Sequence, residues 1–240
     1  MNARGAMILI TGPDGVGKST MISLLKAACK SEGIICLRGY VRSTSIPVRI
    51  IKKTLIMVGR RDFAYTPTLH RLVVDADPAI ISKLINLFIL VDVIVLTFKI
   101  MLYKLLIALL SKICRRKVVI LFERYTLDSA IDLINMKKDY KPSQKVSLVA
   151  LSIFLRLGEG VDCTIMLDAD LEVIIKRHIA RMRDEFLDFI TLQKALMPKL
   201  ASMYLDKYHY IDTSKDTPLD TFIKIRNAIS YCLNRASTYL

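Results

Sequence analysis

Between Met7 and Met21 the chain changes character within a few residues, and no other feature constrains its fold as tightly. Met7 to Ile10 is a short, isoleucine-rich apolar run, the mark of a parallel strand buried on both faces. After Ser19 the apolar residues take helical spacing. Met21, Leu24, Leu25 and Ala28 share a face, and Gly33 stands where a C′ glycine ends such a helix. Between strand and helix lies Gly12-Pro13-Asp14-Gly15-Val16-Gly17-Lys18-Ser19, which is G-x-x-x-x-G-K-[ST] in the context that motif requires. Glycines let main-chain N–H groups wrap a phosphate chain, and the helix beginning at Lys18 adds its positive end. Lys18 is thus expected to reach the β- and γ-phosphates and Ser19 to hold Mg²⁺, with Gly12 to Thr20 forming a nucleoside triphosphate site.

The 240 residues suit one α/β domain. Their formal charge of +14 is dispersed over Arg60-Arg61, Arg115-Arg116-Lys117, Lys137-Lys138 and Arg177 to Arg183. No aromatic-interleaved stripe or nucleic-acid module accompanies it, so the partners expected are polyphosphates or an anionic membrane surface rather than nucleic acid. Five scattered cysteines without a C-x-x-C pair argue against a disulfide framework or a zinc site. They favour a reducing, cytoplasmic setting. Ala6 to Ile10 is too short an apolar run for a signal peptide.

Further strands are expected at Ile34–Leu37, Val118–Phe122, Cys163–Leu167 and Tyr208–Ile211. Helices are expected at Pro47–Val58, within Ala79–Ile113, at Ser143–Leu157, after an Asp170 cap through Arg183, and at Leu219–Leu233. This alternation predicts a five-stranded parallel sheet with helices on both faces and the third strand beside the first. Val118–Phe122 then delivers Glu123 and Arg124 to the carboxyl edge of the sheet, where ligands bind in open α/β folds. A carboxylate there can hold Mg²⁺ or its waters, and an arginine can clamp a phosphate. Arg177, Arg181 and Arg183 form R-x-x-x-R-x-R on a helical lid near residues 176–190 that would close over the transferring group.

These pieces resemble the thymidylate kinase group of nucleotide kinases over most of the chain. The matching stretches are "GPDGVGKST", "ERY", the lid arginines and "YIDTSKDTPLDTFIKIRNAI". The resemblance implies a P-loop kinase fold, Mg²⁺ with ATP as phosphoryl donor, a nucleoside monophosphate (dTMP foremost) as acceptor, and a place in nucleotide biosynthesis. It assigns Asp14 to the acceptor sugar, Glu123 to the metal-proximal carboxylate role, and Arg124 and Arg38 to the acceptor phosphate. It also sets Arg181 and Arg183, beside Lys18, on the phosphoryl oxygens. The family's base-reading segment is not matched. Phe88 and Asp92 stand at a different spacing with no arginine, and Ile131-Asp132 replace a glutamine. "ERY" and the arginine run are also similar to deoxynucleoside kinases, whose hydroxyl acceptor needs a general base. From Gly33 to Arg61 there is no Asp or Glu, while Arg38 and Arg42 occupy that place, which suits an anionic acceptor. A nucleotide-gated binding protein is a third reading.

Ala79 to Ile113 is apolar almost throughout. As a helix, Lys83 to Lys112 would run about 45 Å, so a break near Thr97 is expected. Asp92, Lys99 and Lys104 leave no uncharged run near the roughly 18 residues of a spanning helix. The polar residues form no stripe, which predicts burial nearly all round. Core would cover one side and a two-fold homodimer partner the other, through Leu87, Leu90, Ile94 and Phe98 of the segment 79–113. The resemblance also implies a dimer helix here, and a membrane-surface role is the alternative.

Overall fold

The computed structural model describes residues 5–41, 78–140, 142–179, 187–205 and 208–238, without the side chains of residues 78–85, 88, 136–140 and 234–238. Five strands, β1 (Gly5–Thr11), β2 (Ile35–Gly39), β3 (Val118–Phe122), β4 (Cys163–Asp168) and β5 (Tyr208–Asp212), form one sheet in the order β2-β3-β1-β4-β5. Every pairing is parallel. Leu9 sits opposite Phe122 and Thr11 opposite Met166, so the chain reverses its direction of travel across the sheet beside β1. That reversal sets the phosphate loop at the switch point, where a crevice opens beyond the strand ends.

Seven helices are described: α1 (Lys18–Ser31), α2 (Pro78–Cys114), α3 (Thr126–Tyr140), α4 (Gln144–Gly158), α5 (Leu171–Ile179), α6 (Leu187–Tyr204) and α7 (Pro218–Thr238). The alternation of strand residues divides them between two layers. Met7, Leu9, Ile120 and Phe122 pack with Ile89, Val93 and Leu96 of α2 and Phe154 of α4. Ile8, Ile10, Leu121 and Ile165 face the other way, onto Met21 and Ile22 of α1, Ile174 of α5 and Ile225 of α7. This is a P-loop kinase fold, with helices on both faces and a helical lid region where α5 and α6 flank residues 180–186. Gly33, at φ +70°, ends α1, its N–H donating to Lys30 O while that of Ile34 donates to Cys29 O.

The structure revises several expectations. α2 is one continuous helix of 37 residues, about 55 Å long. It does not break at Thr97, whose hydroxyl donates back to Val93 O at 2.8 Å. Within the single chain, core covers one side of α2, and the stripe expected to face outward is exposed. Ile89, Val93, Leu96 and Ile100 meet the core, whereas Ile94 and Phe98 are 67% and 60% exposed. β2 runs to Gly39, past its expected end at Leu37, so Arg38 lies within the strand. The helix expected at Pro47–Val58 lies outside the described residues. Helices α3 and α6 are additional.

Cysteine usage also needs correction. Cys163 at the start of β4 and Cys232 on α7 form a disulfide, with His209 beside them, and Cys29, Cys36 and Cys114 are free. A link across 69 residues removes chain entropy from the unfolded state worth on the order of 4 kcal/mol. Thermal melts should therefore show a midpoint about 10 °C lower under reductant, with a Cys163→Ser/Cys232→Ser variant insensitive to it. Identical melts of the unmodified protein in both conditions would mean that the two sulfurs are not joined.

Candidate active site

The loop after β1 takes its path because two of its glycines carry no side chain. Gly12 has φ +140°, and a Cβ there would lie 2.0 Å from Leu167 O of β4. Gly15 has φ +93°, and a Cβ there would lie 2.7 Å from Nε2 of His178. Gly12 thus fixes the loop against β4, and Gly15 fixes it against α5, the stem of the lid region. Gly17 is also left-handed, at φ +101°, and caps the start of α1.

Lys18 is buried, and its ammonium donates to Gly12 O and Pro13 O at 2.7 Å and to Asp14 Oδ1 at 3.1 Å. Asp14 Oδ1 also accepts from the Arg124 guanidinium, whose Nη1 lies 3.9 Å from Asp128 Oδ1. Beside them the Ser19 hydroxyl donates to Oε1 of Glu123, while Arg38 donates to Oε2. Burial pushes the Glu123 carboxyl up. The Ser19 hydroxyl, the Arg38 guanidinium and the Lys18 ammonium outweigh that and hold it below its ordinary value, so Glu123 is ionised at neutral pH. Lys18, Ser19, Asp14, Arg38, Glu123 and Arg124 therefore come together at one edge of the sheet. Arg181 and Arg183 lie outside the described residues.

Several members of this constellation were not anticipated. Gln193 of α6 is buried and accepts from the Asp14 N–H at 3.1 Å, tying the helix beyond the lid region to the phosphate loop. Nothing in the sequence around Gln193 sets it apart. Asp128 could have been found, since it stands one helical turn beyond Arg124. Arg177 is committed to the loop after β5, donating to Thr213 Oγ1 at 3.2 Å and Thr213 O at 2.9 Å. Asp168, at the end of β4, accepts from both Lys194 of α6 and the Tyr210 hydroxyl. Together these contacts lock α5, α6 and the β5–α7 loop around the crevice.

The donor set suits a hard divalent cation. A serine hydroxyl and an ionised carboxylate meet directly beside the loop, and Mg²⁺ takes oxygen ligands of this kind. The Cys163–His209–Cys232 group does not suit it. Its ligand atoms lie within 4.8 Å of one another, but they are sulfur and nitrogen, and the sulfurs are joined at the amino end of β4.

No family model and no curated protein sequence matches the chain. Among solved structures it is similar to a thymidylate kinase from Candida albicans, with a TM-score of 0.58 and 17% identity over 98% of this chain and 95% of that one. At that identity the likeness establishes the fold.

The Gln193 contact gives the site its own test. Gln193→Leu leaves the Asp14 N–H without its buried acceptor, and urea unfolding should show a loss of about 1–3 kcal/mol. An unchanged midpoint would show that the amide holds nothing in place.

Proposed function

We propose that the chain is a kinase that moves the γ-phosphoryl group of Mg²⁺·ATP to a nucleoside monophosphate, with dTMP the first acceptor to try. The observation that carries this reading is the pairing of cations at the site. Lys18 and Arg124 share Asp14, and Arg38 and Ser19 share Glu123, at the mouth of a phosphate loop. Phosphoryl transfer demands little covalent chemistry from a protein and a great deal of positioned positive charge.

In this reading residues Gly12 to Thr20 hold the triphosphate through their main-chain N–H groups, and Lys18 exchanges its bonds to Gly12 O and Pro13 O for β- and γ-phosphate oxygens. Ser19 and Glu123 would hold Mg²⁺, whose charge would offset that of the triphosphate. Arg38, within β2, and Arg124, just after β3, reach the carboxylates of Glu123 and Asp14 respectively and would hold the acceptor phosphate. Asp14 meets the acceptor sugar, and Arg181 and Arg183 close over the transferring group from the lid.

The acceptor class follows from charge. In sequence the end of β2 supplies Arg38, Gly39 and Tyr40 and no acid of its own, and the carboxylate beside Arg38, that of Glu123, is engaged by Arg38 and Ser19 rather than free to deprotonate a hydroxyl. A phosphate acceptor arrives already anionic. The fungal enzyme with this fold is noted for broad substrate specificity, so the acceptor set to examine extends beyond dTMP.

Purified protein incubated with ATP and Mg²⁺ should label a nucleoside monophosphate and leave free nucleosides unlabelled. Lys18→Ala should lower turnover by on the order of 10³ while its circular dichroism matches the parent. Labelling of nucleosides alone would replace this reading with a deoxynucleoside kinase. ATP binding without transfer to any acceptor would make the chain a nucleotide-gated binding protein.

A further inference from the structure

Among the described residues, helix α2 buries one face and leaves the other exposed. On the inner side Ile89, Val93, Leu96 and Ile100 pack against the sheet at spacings of four and three. On the outer side Leu87, Ile94, Phe98, Met101, Leu105 and Leu109 form one continuous stripe, each 47–67% exposed. Six large apolar side chains in a row exceed what an isolated surface residue needs in explanation. Ile113, 74% exposed, carries apolar surface to the last turn of the helix.

Along the described residues of α2 and just beyond it, the charges beside this stripe have one sign. Lys99 and Lys104 lie on its flanks, and Lys112, Arg115, Arg116 and Lys117 follow at its carboxyl end, the last four exposed. Between residues 86 and 117 the single acid is Asp92, which is buried on the inner side. A two-fold pairing of chains through α2 would bring two such cationic sets together, with no carboxylate on the face to answer them. An anionic bilayer answers both features at once, taking the apolar stripe among its acyl chains and the lysines and arginines among its headgroups.

We infer that α2 docks the protein onto an anionic membrane, lying in the plane of the surface. Ile89–Cys114 is long and apolar enough to cross a bilayer by length and composition. Crossing would, however, strip Ile89, Val93, Leu96 and Ile100 from the sheet and carry Asp92 into hydrocarbon. Lying flat costs neither. The same helix reaches the rim of the candidate site, where the Tyr103 hydroxyl accepts from the Tyr40 N–H at 3.3 Å. Docking therefore holds the β2 end of the crevice in a fixed relation to the lipid surface. This inference does not depend on the identity of the phosphoryl acceptor.

Flotation of the full chain with vesicles is the test, using phosphatidylcholine alone and phosphatidylcholine mixed with phosphatidylglycerol. The protein should float with the anionic vesicles at least tenfold more than with the neutral ones, and added salt should weaken the binding. Ile94→Glu/Phe98→Glu should abolish it. Arg115→Gln/Arg116→Gln, which touches only exposed side chains beyond the helix, should weaken it severalfold and keeps the test open if the first variant fails to fold. Binding indifferent to lipid charge, or unaffected by both variants, would overturn the inference. So would absence of flotation, whether sedimentation then shows a dimer that Ile94→Glu/Phe98→Glu splits or a monomer.

Discussion

Asp14 is where three parts of the molecule meet. Its carboxylate accepts from Lys18 on the phosphate loop and from Arg124 at the end of β3, while its N–H is held by Gln193 of α6. Sequence separations of 110 and 179 residues are closed at this one side chain and its own amide. The sheet order makes this possible, because β3 and β4 both lie beside β1 and deliver their following residues to the same edge. Remove that order and Arg124 has no route to the loop.

The electrostatic logic is one of provisional partners. Buried cations need counter-charges whether or not a ligand is present, since an unpaired ammonium in a low-dielectric site is costly. Here Asp14 serves buried Lys18 and half-buried Arg124, Glu123 serves the exposed Arg38, and Lys18 also leans on two loop carbonyls. Phosphates are stronger, multivalent partners for the same cations. In the proposed function, a nucleotide would meet a site whose cations are already gathered and would exchange bonds rather than create them.

How much of this could be read in the sequence varied with the range of the signal. The strand, loop and helix from β1 to α1, the glycine after α1, and the limits of β3 were all legible because each is written in adjacent residues. Helix α6 was not, since Pro198 interrupts its pattern and buried Gln193 reads as a surface residue. Helix α3 was hidden by Thr126, Asp128, Ser129 and Asp132, polar residues that are nonetheless buried. The Cys163–Cys232 link has no local trace at all, as β4 and α7 meet only in three dimensions. For α2 the outward stripe of Leu87, Leu90, Ile94 and Phe98 was legible from its spacing and is exposed, whereas the unbroken run of the helix through Thr97 was not, because a nearly uniform apolar pattern carries no stop signal.

On the proposed function, Lys18, Ser19 and Glu123 form a metal-dependent triphosphate site. The decisive experiment is calorimetric titration of the full chain with a non-hydrolysable ATP analogue, with Mg²⁺ and then with a chelator. One saturable site per chain is expected, with an affinity that falls by about tenfold or more without the metal, a difference of about 1.4 kcal/mol or greater. Absence of binding, or binding of equal strength with and without Mg²⁺, would contradict it.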